Sequence, residues 1–272
     1  MSKFVYENKI AIVTGASSGI GKELCKILIE EYNVKVIAIA RNEKKLLDLK
    51  NSSEKISKNL TYQLFDVGVK ENWQKFYSYL KNENIIPDIL INCAGVLPPF
   101  KKVKDTTVEE FEKVLNTNFL SQVYSINVLL PIIKSKGDGL IINVSSSSSL
   151  CTFGGISMYS ASKSASSFFT QSLICEEPTL KISLALPGTT KTDIFNNQKT
   201  DEKAKDVIDK IALSPYKVAK TILKKARKGK KRIIVGFDAK LMNFLYKVFP
   251  TLAPKIITKF LKNTKYKIFD NM

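Results

Sequence analysis

Ile10-Ala11-Ile12-Val13-Thr14-Gly15-Ala16-Ser17-Ser18-Gly19-Ile20-Gly21 decides the fold. The first half is a continuous apolar run, suited to a strand buried on both faces. The second half is a glycine-rich turn, after which Leu24, Ile27 and Leu28 follow at helical spacing. A strand that breaks at glycines and continues as a helix offers free amides and a positive dipole end to a phosphate, and glycine lets the backbone approach it closely. Taken alone, the same turn also suits a strand-to-helix connection without a ligand.

Working outward, short apolar runs recur at 34–40, 60–65, 89–92, 140–144, 182–186 and 233–235, separated by helical patterns. With 10–13 they make seven candidate strands. Continuous apolar strands alternating with helices predict a doubly wound (Rossmann) three-layer α/β domain around a mostly parallel seven-stranded sheet. No long Pro, Gly or Ser linker divides the chain, no internal period recurs, and the only low-complexity stretch is the serine run from Ser145 to Ser149. One catalytic domain over 1–238 is expected, with a tail over 239–272. Ser214-Pro215 marks a helix start and Lys228-Gly229 its end.

The second run ends at Ala40-Arg41, about twenty residues beyond Gly21, where a dinucleotide fold meets the adenosine ribose. A carboxylate there would accept the ribose 2′-hydroxyl of NAD. Arg41 instead pairs with a 2′-phosphate, which predicts NADP(H); otherwise it is an ordinary surface arginine. Asp66, closing the third run, is placed to accept from the adenine amino group. Asn92-Cys93-Ala94-Gly95 closes the fourth with small residues that permit close approach, and either segment also reads as a plain turn.

Composition removes several chemistries. The 272 residues contain no histidine, which excludes imidazole-based triads and the usual zinc sites, and no metal site is expected. Cys25, Cys93, Cys151 and Cys175 lack C-x-x-C pairing and read as reduced thiols. Forty-three basic against 25 acidic residues give a formal charge of +18, yet Arg41, Arg227 and Arg232 are the only arginines, so base-specific nucleic-acid reading is not expected. The N-terminus enters a strand with no apolar leader, which suits a cytoplasmic protein.

Tyr159-Ser160-Ala161-Ser162-Lys163 follows the fifth run. On a helix Tyr159 and Lys163 share a face, about 5–6 Å apart at Cβ. A phenol titrates near about 10, and an adjacent ammonium favours the phenolate, which makes the pair a candidate proton donor and acceptor. Thirteen residues upstream lies Ser146, at the carboxyl end of the fifth run, where its hydroxyl could polarise a substrate oxygen. The serine run leaves the choice among its neighbours open.

In this order and spacing, residues 10–192 resemble the short-chain dehydrogenase/reductase family. The resemblance is carried by the T-G-x-x-x-G-x-G turn, the N-x-A-G segment, the asparagine in Asn116-Thr117-Asn118-Phe119, the serine, the Y-x-x-x-K pair and Pro187-Gly188-Thr189-Thr190-Lys191-Thr192. It implies hydride transfer between a nicotinamide cofactor and a carbonyl or alcohol. Tyr159 would then be the general acid/base and Ser146 would orient the carbonyl oxygen. Lys163 would bind the nicotinamide ribose and lower the tyrosine pKa, and Asn118 would support a water-linked proton relay. The resemblance places Gly15, Ser17, Ser18, Gly19, Ile20, Gly21, Asn92, Ala94 and Gly95 around the cofactor, Pro187 and Gly188 on its nicotinamide side, and Thr192 on the carboxamide. It also implies a homodimer or homotetramer through the long helices after the fourth and fifth strands. Cys93 stands where many members carry a second asparagine, a variable position.

The polar stretch 189–213 reads as a substrate lid. In the tail, Leu241, Phe244, Leu245, Val248, Phe249, Leu252, Ile256, Ile257 and Phe260 recur at mostly helical spacing, with Lys240, Lys247, Lys255, Lys259 and Lys262 among them. Such a basic amphipathic tail suits a peripheral contact with an anionic membrane, or a cover over the cleft or a neighbouring subunit. The expected reaction is NADP(H)-dependent reduction of a lipophilic ketone, such as a steroid or lipid ketone, or oxidation of the matching alcohol. The alternatives are a 3-oxoacyl-carrier-protein reductase and an NADP(H)-binding sensor without turnover.

Overall fold

All seven runs form strands: β1 (Ile10–Thr14), β2 (Lys35–Ala40), β3 (Leu60–Leu64), β4 (Ile89–Asn92), β5 (Leu140–Val144), β6 (Lys181–Pro187) and β7 (Arg232–Val235). The structure is a computed structural model and describes residues 3–195, 198, 202 and 210–271. The strands lie in one sheet in the order β3-β2-β1-β4-β5-β6-β7, and every pair is parallel. The order reverses between β1 and β4, which opens a crevice at their carboxyl ends.

Between the strands run α1 (Gly19–Glu30), α2 (Glu43–Lys50), α3 (Glu54–Asn59), α4 (Lys70–Asn82), α5 (Val108–Leu115), α6 (Ser121–Lys134), α7 (Ser157–Glu176) and α8 (Pro215–Ala226). Strand alternation sends Val13 and Ile91 to one face, against Leu24, Ile27 and Leu28 of α1 and Ile222 of α8. Ile12 and Leu90 go to the other, against Trp73 of α4, Leu129 of α6 and Leu173 of α7. Each fully buried Leu or Ile contributes about 1.5–3 kcal/mol. Packing also sets the rim: the Trp73 indole donates to the Val67 carbonyl at 2.9 Å, anchoring the loop that carries Asp66.

The helix signals at α8 are realised. Ser214 accepts from the Lys217 amide at 3.3 Å, Pro215 opens the helix, and Gly229 takes φ +72° beyond its end. The expected lid is described only in part, since residues 196, 197, 199–201 and 203–209 lie outside the described residues. Its two ends meet where Thr190 bridges Leu213, and the Gln198 amide donates to the Pro98 carbonyl at 2.8 Å.

The tail forms a helical hairpin of α9 (Phe237–Val248) and α10 (Ala253–Asn263), so its first helix begins ahead of the expected boundary at 239. It folds over the cleft. Ile268 is buried with Leu97, Phe100 and Ile156, and Leu261, Tyr266 and Phe269 pack on the same cluster. Among the described residues no helix is long and apolar enough to cross a membrane.

Candidate active site

The turn after β1 is built from backbone. Gly15 takes φ +67°, and a Cβ there would lie 2.8 Å from the Ala94 Cα, so this strand end and the loop after β4 approach as only glycine allows. Thr14, the motif's first residue and one with no separate role in the sequence reading, locks the approach. Its hydroxyl accepts from the Cys93 and Ala94 amides at 3.0 and 3.1 Å. Ser18 caps α1 in extended conformation without a side-chain hydrogen bond, which leaves the first-turn amides open to the cleft. Gly15, Ser17, Ser18, Gly19, Ile20 and Gly21 all line it. These free amides beside bared backbone fit a pyrophosphate.

At the rim beyond β2 and β3, Arg41 follows β2 and donates to Asp66 at 3.2 Å, while the second Asp66 oxygen accepts from the Gly68 amide at 2.9 Å. The Arg41 side chain is largely exposed, so its guanidinium fits a ribose phosphate that could displace part of the pair. Lys45 on α2 reaches Asp193 at 2.6 Å, strapping this rim to the segment that carries Thr192. Thr192 itself packs over Gly19 and lines the cleft with Pro187 and Gly188.

At the other end, Tyr159 and Lys163 stand one turn apart on α7 beneath the end of β5. The Lys163 ammonium donates to the Val144 carbonyl at 3.1 Å and lies 6.0 Å from the Tyr159 ring centroid. The Ser146 hydroxyl stands near enough to the Tyr159 phenol to favour its phenolate, and both line the cleft. This separates Ser146 from its neighbours in the serine run. Ser145 donates to the Lys163 carbonyl at 2.7 Å, and Ser167 donates to Ser145 and Ser149 at 2.9 Å, so those two hydroxyls hold α7 against β5. The Ser148 hydroxyl is buried with no protein partner among the described residues, and the residue belongs to the cleft lining.

Burial pushes the Tyr159 phenol above its ordinary value, against the lowering effect of the nearby Ser146 hydroxyl. Burial likewise pushes Lys163 down to about 8, with Cys93 acting in the opposite sense, and pushes the Cys93 thiol up to about 12. The expected lowering of the tyrosine by Lys163 therefore does not dominate: the ammonium points at a carbonyl and the phenol pays for its enclosure.

Two asparagines act through the scaffold. Asn118 lies in the π-helical turn Asn116–Leu120 between α5 and α6. Its side chain accepts from the Val96 amide at 2.7 Å and donates to the Val96 carbonyl and Ser162 at 3.0 Å, fixing the loop after β4 against α7. Gly95 is squeezed between it and Lys163, since a Cβ there would lie 3.3 Å from Asn118 Oδ1 and 3.1 Å from Lys163 Nζ. Asn92 does not face the cleft as expected. It is still within β4, and the pleat turns it inward, where it donates to Asn143 and accepts from Ser125, both at 2.9 Å.

The roof is pegged by two residues that the sequence reading did not single out. Asp238, in the first turn of α9, accepts from the Thr189 amide at 2.6 Å, beside Gly188 and Gly236, where any Cβ would collide with its carboxylate. Thr258 of α10 accepts from the Gly154 amide at 2.9 Å. Thus the tail is pegged to the Pro187–Gly188 segment and to the loop ahead of Tyr159. The cleft holds about 550 Å³, and Leu97, Phe100, Phe153, Ile156, Ile257 and Leu261 give its inner end apolar walls.

Comparison with known proteins agrees with this geometry. The chain is 32% identical over 246 residues to the 3-ketodihydrosphingosine reductase of Bos taurus, covering 86% of this chain and 73% of the relative. An alcohol dehydrogenase from Thermococcus sibiricus complexed with 5-hydroxy-NADP superposes with a TM-score of 0.74 at 21% identity, over 85% of this chain and 97% of that one. A short-chain dehydrogenase/reductase from Burkholderia phymatum in complex with NAD gives 0.74 at 18% identity, over 85% and 90%. Neighbours holding either cofactor share the fold, so the fold leaves that choice to the rim residues. Residues 9–203 match the family model for short chain dehydrogenase, and the chain belongs to that family.

Proposed function

We propose that the protein interconverts a lipophilic ketone and its secondary alcohol with NADP(H). The observation that carries this reading is the Tyr159 phenol, lining the cleft together with Ser146 and Lys163 at the inner end, where the walls are apolar. A bound nicotinamide would supply or accept the hydride at the substrate carbon. In reduction, Ser146 holds the carbonyl oxygen and Tyr159 gives it a proton as the C=O π bond becomes a C–H and an O–H bond; oxidation runs in reverse. Lys163, one turn away and anchored on Val144, supports the ribose of the cofactor, and Asn118 keeps the Val96 loop in register with α7.

Arg41, with Lys45 nearby on α2, favours the 2′-phosphorylated cofactor, although Asp66 tempers that charge. The similarity to a 3-ketodihydrosphingosine reductase favours a long-chain lipid ketone over a steroid. Self-association through α6 and α7 is part of the same reading, supported by Phe168 standing exposed on α7, as is peripheral contact with a membrane through the tail.

The test is cofactor oxidation with NADPH and NADH in parallel across short ketones, long-chain keto lipids, steroid ketones and 3-oxoacyl thioesters. Turnover of the keto lipids with NADPH, absent in Tyr159→Phe, is the expected result. Preference for thioesters would favour the carrier-protein reductase, and cofactor binding with no turnover on any substrate would make the chain a sensor.

A further inference from the structure

The hairpin that roofs the cleft has a second apolar face, and that face is bare. Successive residues of an α-helix turn by about 100°, so neighbours in α10 face different ways. Ile257 and Leu261 line the cleft, whereas Ile256 and Phe260 are 56% and 67% exposed on the outside. The outward row continues through Leu252 and Phe249, 51% and 48% exposed, to Phe244 of α9 at 60%. Five large apolar side chains in one row exceed the scattered exposure of an ordinary surface.

Charge identifies what covers them. Residues 239–269 contain seven lysines and no carboxylate. On α10, Lys255, Lys259 and Lys262 follow at i, i+4 and i+7 and form a stripe beside the apolar row. That stripe edges a groove of about 870 Å³ between α10 and the start of α7. A second copy of the chain would bring the same lysines against each other across an isologous contact, which disfavours self-pairing through this face. No described helix is long and apolar enough to cross a bilayer. An amphipathic element with aromatic and aliphatic tips flanked by lysines lies in the plane of an interface instead.

We propose that the α9–α10 hairpin docks on a lipid surface bearing anionic headgroups, inserting Phe244, Phe249, Leu252, Ile256 and Phe260 while the lysines meet the headgroups. The inference deepens the lipid-ketone reading, because the inserted helix is also the wall of the cleft. A substrate dissolved in the bilayer is then separated from Tyr159 by the thickness of one helix.

The experiment is sedimentation of the full chain with phosphatidylcholine vesicles, with and without phosphatidylserine, at low and high salt. Two variants accompany it, Phe249→Ser/Phe260→Ser and Lys255→Glu/Lys259→Glu, neither touching the cleft. We expect at least about tenfold more protein on the anionic vesicles, lost at high salt. Each variant should lose about tenfold in vesicle affinity while keeping its turnover of a short water-soluble ketone. Protein left in the supernatant with anionic vesicles at low salt overturns the proposal. So does a serine variant that sediments like the parent, or a parent dimer that this variant turns into monomer. Sedimentation without any cofactor oxidation would sink the catalytic reading and leave the docking surface standing.

Discussion

The glycine-turn end of the cleft and its roof are built by opposite means. The glycine-turn end is backbone: Gly15 against Ala94, open amides at the start of α1, and Thr14 tying two strand ends together. The roof is side chain, an apolar cluster on a hairpin held by a few polar pegs such as Asp238 on Thr189 and Thr258 on Gly154. A backbone cradle reads the part common to every dinucleotide and tolerates little change. A side-chain roof can be recut for another substrate without disturbing the sheet beneath. Tyr159, Ser146 and Lys163 sit where the two constructions meet.

The most damaging test strikes that junction. Tyr159→Phe keeps the ring packed and removes the proton, so kcat should fall by about 10²–10⁴ while the cofactor still binds, read by NADPH fluorescence. A variant with undiminished turnover would remove the proton carrier from the mechanism. Because burial raises the Tyr159 pKa, the phenol holds its proton through neutral pH. Reduction should therefore stay level through neutrality and weaken only at alkaline pH. Oxidation, which needs the phenolate, should climb with pH.

Lys163 sharpens the comparison by setting stability against function. Its pKa is pushed to about 8 in the folded chain, against about 10.4 for a free lysine. Between those values the unfolded chain binds the proton and the folded chain does not, so this residue's contribution to stability rises with pH across the window. Below it, the folded protein carries the penalty of a buried ammonium. Lys163→Met should thus lose activity yet gain about 1–3 kcal/mol of stability at neutral pH, the gain shrinking as pH rises past about 8. Thermal melts across pH measure it, and a destabilised variant at neutral pH would mean that the bond to Val144 outweighs the burial penalty.

Arg41→Ala tests the cradle at its edge. A charge-assisted bond to a phosphate is worth about 1.5–3 kcal/mol, so the ratio of kcat/KM for NADPH over NADH should fall by about 10–100-fold. The Asp66 carboxylate, left without its partner, would add repulsion to the 2′-phosphate. An unchanged ratio would return Arg41 to an ordinary surface residue and move cofactor choice to Lys45 or elsewhere.

How much of this was legible follows the same division. Strand ends and the glycine turn could be read because buried parallel strands are apolar throughout and a phosphate turn needs glycine at fixed places. The pairing of Tyr159 with Lys163 was legible as helical spacing, whereas its electrostatics were not, since burial of the ammonium, its bond to the Val144 carbonyl and the opposing influence of Cys93 all come from segments distant in sequence. Ser146 could not be told from Ser145 or Ser149 until Ser167, about twenty residues away, claimed the other two. Asn92 was misassigned to the cofactor because a one-residue step along a strand reverses its face. In the tail, two apolar stripes were mixed in one pattern, and only folding showed which stripe closes the cleft and which is bare.

Asp238 is the finest test, because it joins the two constructions. Its carboxylate occupies space that the missing side chains of Gly188 and Gly236 leave open, and it holds the Thr189 amide from 49 residues away. Asp238→Asn keeps the shape and an acceptor oxygen but turns a charge-assisted bond into a neutral one, a loss of about 1 kcal/mol or roughly fivefold. If the bond only steadies the Pro187–Gly188 segment, KM for the cofactor should rise equally with every ketone. If it also seats α9, a bulky apolar ketone that presses on the roof should suffer several-fold more than a short one. Amide exchange at Thr189 should quicken in both cases. Equal losses for short and long ketones would show that roof and cradle are separate devices, and a loss confined to the long ketones would show that the roof is tensioned through this one carboxylate.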